Sequence, residues 1–162
     1  MNINRTPFTH LSALGDIHGD IHHSVDGLDR KGRIVFAHGY KGFKDWGAWD
    51  LLGDRLAEEG WDFIRFNFSH NGHIIPNLLD CSDEISWSKN TYSIEKSDLE
   101  SILKYARGGM INDSEQLIVM GHSRGGGIAS LAATSTDVDG LILLASVCDF
   151  ESRFPSGKAL NK

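Results

Sequence analysis

The hydrophobic and polar positions fall into blocks whose period changes along the chain. Residues 6–24 alternate loosely around Leu11, Leu14, Ile17 and Ile21, broken by Gly15 and Gly19, which predicts a polar-faced hairpin at a sheet edge. Arg33-Ile-Val-Phe-Ala-His-Gly39 reads as a short buried strand stopping at His-Gly. A Gly-rich loop from Tyr40 leads into Trp46, Trp49, Leu52 and Leu56, a stripe at helical spacing. It predicts an amphipathic helix over 45–59, with Asp45 as N-cap and Gly60 just past the end. Trp61 to Phe68 reads as the next strand, and residues 69–92 as a long polar excursion of a kind usually kept for function. Ile94, Leu99, Ile102, Leu103 and Ala106 mark a second helix ending near Gly108-Gly109. Leu117 to Met120 predicts a buried strand, Ile128 to Ala133 a helix, and Gly140 to Ser146 a wholly apolar strand that the chain leaves through Val147 to Phe150.

Strands that alternate with helices predict an α/β protein. The expected architecture is a three-layer αβα sandwich around a mostly parallel sheet, with the N-terminal hairpin as an antiparallel edge. Strand, helix, strand over 33–68 is a right-handed crossover unit. The 162 residues carry no repeat, low-complexity tract or linker, so one domain over 1–162 is expected.

Composition narrows the function. The net charge is −6 and no Lys/Arg cluster stands out, which argues against a nucleic-acid partner. No apolar run approaches a membrane span, and residues 1–7 are too polar for a signal peptide. The two cysteines, Cys81 and Cys148, have no metal-type spacing; a cytoplasmic protein with free thiols is the simplest account.

The candidate chemistry centres on Gln116-Leu-Ile-Val-Met-Gly-His-Ser-Arg-Gly-Gly-Gly127. Strand, Gly-x-Ser-x-Gly, helix is the context of a nucleophile elbow. Ser123 must then sit in a strained turn, and side chains at Gly121 or Gly125 would collide with the neighbouring strand and helix. A phosphate loop would need Lys and Ser/Thr after its last glycine, where Gly127 and Ile128 stand, and the dinucleotide spacing is absent. Upstream, Gly15-Asp-Ile-His-Gly19 looks like the first metal motif of the calcineurin-like phosphoesterases. The further ligand blocks of that family do not follow, and His22 and His23 have no carboxylate at useful spacing, so the motif reads as edge-strand decoration. No metal and no cofactor is expected.

His38-Gly39, Asn67-Phe-Ser-His-Asn-Gly72 and Gly121-His-Ser-Arg-Gly125, in this order, resemble the α/β-hydrolase fold, closest to its dienelactone-hydrolase-like and serine-aminopeptidase-like branches. The resemblance implies Ser123 as nucleophile, with the backbone N–H groups of Arg124 and Tyr40 as oxyanion donors. It implies pocket-lining or bracing roles for His38, His70 and His122. The substrate would be a small-molecule ester, thioester or amide. In this fold the triad runs Ser, then Asp/Glu, then His. Here all eight histidines precede or adjoin Ser123, and the only later acids are Asp137, Asp139, Asp149 and Glu151. Asp149, just past a strand end, is a candidate acid or a turn cap, and His70 a candidate substitute base. The chain therefore resembles the N-terminal part of such a hydrolase, an incomplete fold without the C-terminal strands that carry acid and base. Its activity is expected to be impaired. A catalytically silent binding or interaction module is the alternative, and a metallophosphoesterase a distant third. The strand at 141–146 would keep an unpaired apolar edge, which predicts self-association there or coverage by the tail.

Overall fold

The computed structural model describes residues 2–25, 29–109 and 115–153. The alternating N-terminal segment forms β1 (Ile3–Leu11) and β2 (Asp16–Ser24), paired antiparallel from Ile3 opposite Ser24 to Leu11 opposite Asp16. Strand β3 (Gly32–Ala37), helix α1 (Trp49–Glu58) and strand β4 (Trp61–Phe66) make the expected crossover, with β3 and β4 parallel. A short helix α2 (Glu84–Lys89) and the long helix α3 (Tyr92–Gly108) follow. Then come β5 (Gln116–His122), α4 (Arg124–Ala133) and β6 (Gly140–Leu144). The sheet order is β1-β2-β4-β3-β5-β6. Strand β2 meets β4 antiparallel, and the four strands beyond are parallel.

Period-two alternation assigns each strand residue to one of two cores. From β3, Val35 and Ala37 point to the face covered by α3 and α4, where they join Ile64, Phe66, Val119, Leu99, Ile102 and Ile128. Ile34 and Phe36 point the other way, with Phe63 and Met120, against Trp49, Leu52 and Leu56 of α1. Both faces are covered, so every residue of β3 is buried. The expected three layers are present.

Several boundaries differ from the sequence pattern. Helix α1 begins at Trp49 with Ala48 at its N-cap position, not at Asp45, and Trp46 lies outside it, half exposed. Asp45 is taken by a stronger partner: with Asp20 and Asp50 it surrounds the buried Arg65 guanidinium at 2.8–3.3 Å, and Lys44 Nζ bonds both Asp20 and Asp45. A buried guanidinium needs such company, and the ion cluster outcompetes a cap worth about 1 kcal/mol. The polar excursion contains α2, capped by Asp83, whose carboxylate accepts the Ser86 N–H at 3.0 Å. Helix α4 starts at Arg124, so the three glycines 125–127 are helical. Gly60 does stand just past α1, at φ 87.

The edge strand β6 pairs with β5 on one side. Leu141, Ile142 and Leu143 are 42%, 38% and 44% exposed, and successive residues of a strand face opposite ways, so both faces are only partly covered. Residues 154–162, the tail proposed as a cover, lie outside the described residues. No helix among the described residues is long and apolar enough to cross a membrane.

Candidate active site

At the C-terminal end of β5 the chain reverses into α4 through Ser123, a non-glycine residue at φ 53, ψ −118. Four backbone bonds hold this conformation, the longest from Gly127 N–H to Ser123 O at 3.4 Å. Ser123 N–H donates to Leu144 O, Val147 N–H donates to Ser123 O, both at 2.9 Å, and Gly126 N–H donates to Ser123 O at 3.1 Å. The flanking glycines are sterically required. A Cβ on Gly121 would lie 2.3 Å from Gly125 O, and one on Gly125 would lie 2.2 and 2.3 Å from the carbonyls of Ala37 and His38. Ser123 is half-buried, and among the described residues no side chain hydrogen-bonds its hydroxyl. Arg124 opens α4, so its N–H has no partner within the helix.

Facing this turn is the loop after β3. Gly42 N–H donates to Gly39 O at 3.0 Å, closing a four-residue turn that forces Lys41 to φ 58. A Cβ on Gly39 would lie 3.2 Å from Ser123 Cβ, which fixes how closely loop and serine approach. His38 is buried, edge-on to Phe68, and its Nδ1–H donates to the same Gly39 carbonyl at 2.9 Å. Burial drives its pKa down to about 4. The loop's far end is held by Asn67, whose Oδ1 accepts the Lys44 N–H at 2.7 Å.

The Arg124 side chain joins three elements. Its Nε donates to Glu95 Oε2 of α3 at 2.7 Å, and its guanidinium lies 4.3 Å from the Tyr92 ring centre and 5.5 Å from that of Tyr40. Glu95 also accepts from Asn90 Nδ2 at 2.8 Å. Burial pushes the Glu95 carboxyl up, while Arg124 and the Asn90 bond oppose that shift.

Most of the other histidines have settled partners. His122 packs its ring 5.3 Å from that of Trp49, on the α1 face. His70 Nδ1 shares a 2.8 Å bond with Ser69 Oγ, and Ser69 gives both its N–H and its hydroxyl to the buried Asp98 at 2.8 Å. His73 stacks on Phe43 with ring centres 4.8 Å apart. His22 lies buried under α1, Nδ1 2.8 Å from Asp54, so it does have a carboxylate partner, 32 residues away in sequence. His18, of the metal-like motif, bonds Thr9 Oγ1 across the hairpin. Among the described residues no group of three or more His, Cys, Asp or Glu could hold a metal ion.

The late acids lie apart from the serine or serve turns. Asp139 accepts the Leu117 N–H at 2.7 Å at the start of β5, the opposite end of the sheet. Asp149 Oδ1 accepts the Glu151 N–H at 2.9 Å and opens a 3-10 turn, Glu151–Arg153. Glu95, Asp98 and Trp87 went unnoticed in the sequence. The first two had a signal: they lie on the same helix face as Leu99, Ile102 and Ala106, where an acid needs a buried partner.

A parallel sheet in this strand order, with a strained serine between β5 and α4 and a tight glycine turn against it, defines the α/β-hydrolase class. The chain belongs to the alpha/beta hydrolase family, whose model matches residues 34–161. Among solved structures it is similar to a dienelactone hydrolase from Anabaena variabilis, with TM-score 0.70 and 15% identity, covering 90% of this chain and 65% of that one. An alpha-beta serine hydrolase homologue from Coxiella burnetii gives TM-score 0.70 and 20% identity, over 90% and 64%. A bacterial brefeldin A esterase gives 0.65 and 15%, over 93% and 44%. The chain thus spans less than two thirds of the length of these structures. No curated protein matches it in sequence.

Proposed function

We propose that this protein is a serine hydrolase of small carboxylic esters, thioesters or amides. Ser123 is its nucleophile, and the N–H groups of Arg124 and Tyr40 receive the oxyanion. One observation carries this reading. The described non-glycine residues at positive φ are Lys41, Ser123 and Ala145. Lys41 follows the proposed donor, and Ala145 follows the Leu144 carbonyl that holds Ser123 N–H. Backbone strain of order 1–3 kcal/mol per residue, gathered around one hydroxyl, is characteristic of a functional site.

In the chemistry proposed, Ser123 Oγ bonds to the substrate carbonyl carbon and its proton leaves for a base. The carbonyl electron pair moves onto oxygen between the two donors. Collapse expels the alcohol, thiol or amine, and water then releases the acyl group. Each donor contributes on the order of 3 kcal/mol to the barrier. No histidine side chain bonds the Ser123 hydroxyl, and His70 is tied to Ser69. We therefore expect the 162 residues by themselves to be impaired, with residual turnover about 10³–10⁴ over water.

The test is labelling by a fluorophosphonate probe, which should be slow and should vanish in Ser123→Ala. A folded wild type that takes no label after prolonged exposure would favour the silent binding module instead. Ester turnover at ordinary enzymatic rates would contradict the missing base, and its loss in His70→Ala would identify the substitute.

We also infer that the bare β6 edge pairs with a second copy. An antiparallel edge is self-complementary about a two-fold axis, and covering what is still exposed of each leucine or isoleucine recovers roughly 0.6–1.2 kcal/mol. Sedimentation should show dimers that Leu143→Lys dissociates; a monodisperse wild-type monomer would refute this.

A further inference from the structure

A cavity of about 590 Å³ lies between the loop after β3 and the excursion that carries α2. It opens beside Lys41, the residue after the proposed donor Tyr40, and Tyr40 stacks on the cavity residue Trp87 with ring centres 6.5 Å apart. This volume is within the range of small-molecule sites. Its walls are flat. Phe43 and His73 form a stacked pair inclined by only 24°, and Trp87 adds an indole that is 37% exposed. The charged wall residues are one cation and one anion, Lys41 and Glu84, so the cavity selects for neither sign.

The second observation is Asn71, which lines this cavity and is 6% exposed. Its N–H donates to Phe68 O at 3.0 Å, its carbonyl oxygen meets His73 Nδ1 at 3.1 Å, and its Oδ1 accepts the His73 N–H at 3.1 Å. The last bond fixes which side-chain atom is oxygen. Nδ2 is left buried with no partner. A buried donor without an acceptor is costly, and proteins keep few of them without a use.

We propose that this cavity is a binding subsite for a flat, uncharged aromatic group whose inner edge carries a carbonyl or hydroxyl oxygen. The ring lies among Phe43, His73 and Trp87, and the oxygen accepts from Asn71 Nδ2. Assigning that group to the acyl or leaving-group portion of a substrate of Ser123 rests on the hydrolase reading; binding by the cavity does not.

The cavity contains its own reporter. Cys81 lines it and Cys148 does not, and both are free, exposed thiols. Acetophenone should slow iodoacetamide alkylation of Cys81, followed by peptide mass, and leave Cys148 unaffected. Ethylbenzene has the same ring without the oxygen, and should need about tenfold more for equal protection. Asn71→Asp keeps the oxygen that accepts from His73 and removes the donor, so there the two probes should become equal. Trp87→Ala should weaken protection by both. No protection of Cys81 in the wild type overturns the proposal. So does equal protection by the two probes in the wild type, which would mean a greasy cleft without a polar anchor. Fluorophosphonate labelling of Ser123 in the same samples reports the hydrolase reading separately, so either can fail alone.

Discussion

Gly125→Ala is expected to cost about 3 kcal/mol or more and to abolish phosphonate labelling of Ser123. The new methyl would sit 2.2 and 2.3 Å from the carbonyl oxygens of Ala37 and His38. Those oxygens belong to the backbone at the end of β3, which is hydrogen-bonded to β4 and β5 and buried on both faces. No rotamer change relieves the clash. Either α4 lifts away from β3 or the strand ends move, and the cost lies at or beyond the upper end of ordinary overpacking. Moving α4 also displaces Arg124 N–H and the turn that strains Ser123. Gly108→Ala is the control. A Cβ there meets nothing within 4 Å, and alanine suits a helix better, so stability should hold or rise by up to about 1 kcal/mol. Urea midpoints of the two variants against wild type provide the measurement. A Gly125→Ala protein as stable as Gly108→Ala would mean that the close approach of α4 to β3 is wrong.

His38 should dominate the acid limb of the stability curve. Burial holds its pKa at about 4 against an ordinary 6.5. A base whose folded pKa is depressed contributes stability that is complete above the unfolded value and is lost as pH falls toward the folded one. The window is therefore about pH 6.5 down to 4. A shift of this size corresponds to about 3 kcal/mol at the bottom of the window. His22 adds a loss of the same sign, since burial lowers it as well. Glu95 and Asp98 act oppositely: burial raises both, so the fold regains stability as they protonate. The wild-type curve alone mixes these contributions. The difference between wild type and His38→Gln isolates the histidine, because glutamine can still donate to Gly39 O and does not titrate. Wild type should lose about 3 kcal/mol more than the variant between pH 7 and pH 4. Parallel curves would mean that His38 is not buried as described.

The same residue shows how unevenly the site could be read. The family resemblance implied a bracing or pocket role for His38; the structure gives its Nδ1 a bond to the Gly39 carbonyl. Asn67 stood out only as part of a variant turn, yet it anchors the loop through the Lys44 N–H. Nothing in the local pattern connects positions 23 residues apart; the pairing exists because β3 and β4 lie side by side. Asp45 shows the converse. Its place before a helical stripe was a sound N-cap signal, but Arg65 arrives from β4 with a buried charge to neutralise, and long-range electrostatics outweighed local capping.

By itself the sequence determined the layers, the edge hairpin, the parallel crossover and the strained serine. Each of these follows from a local rule: period two or 3.6 in the apolar positions, and glycines where a side chain has no room. Tertiary structure alone decided which acid meets which donor. Arg124 found Glu95, His22 found Asp54, and Asp98 found Ser69, over separations of 29 to 32 residues. It also decided that the excursion folds α2 over a cavity, leaving one amide of Asn71 without an acceptor. Such partnerships depend on where the sheet order β2-β4-β3-β5 sets its neighbours, and that order comes from packing both faces of the sheet at once, which no window of sequence contains.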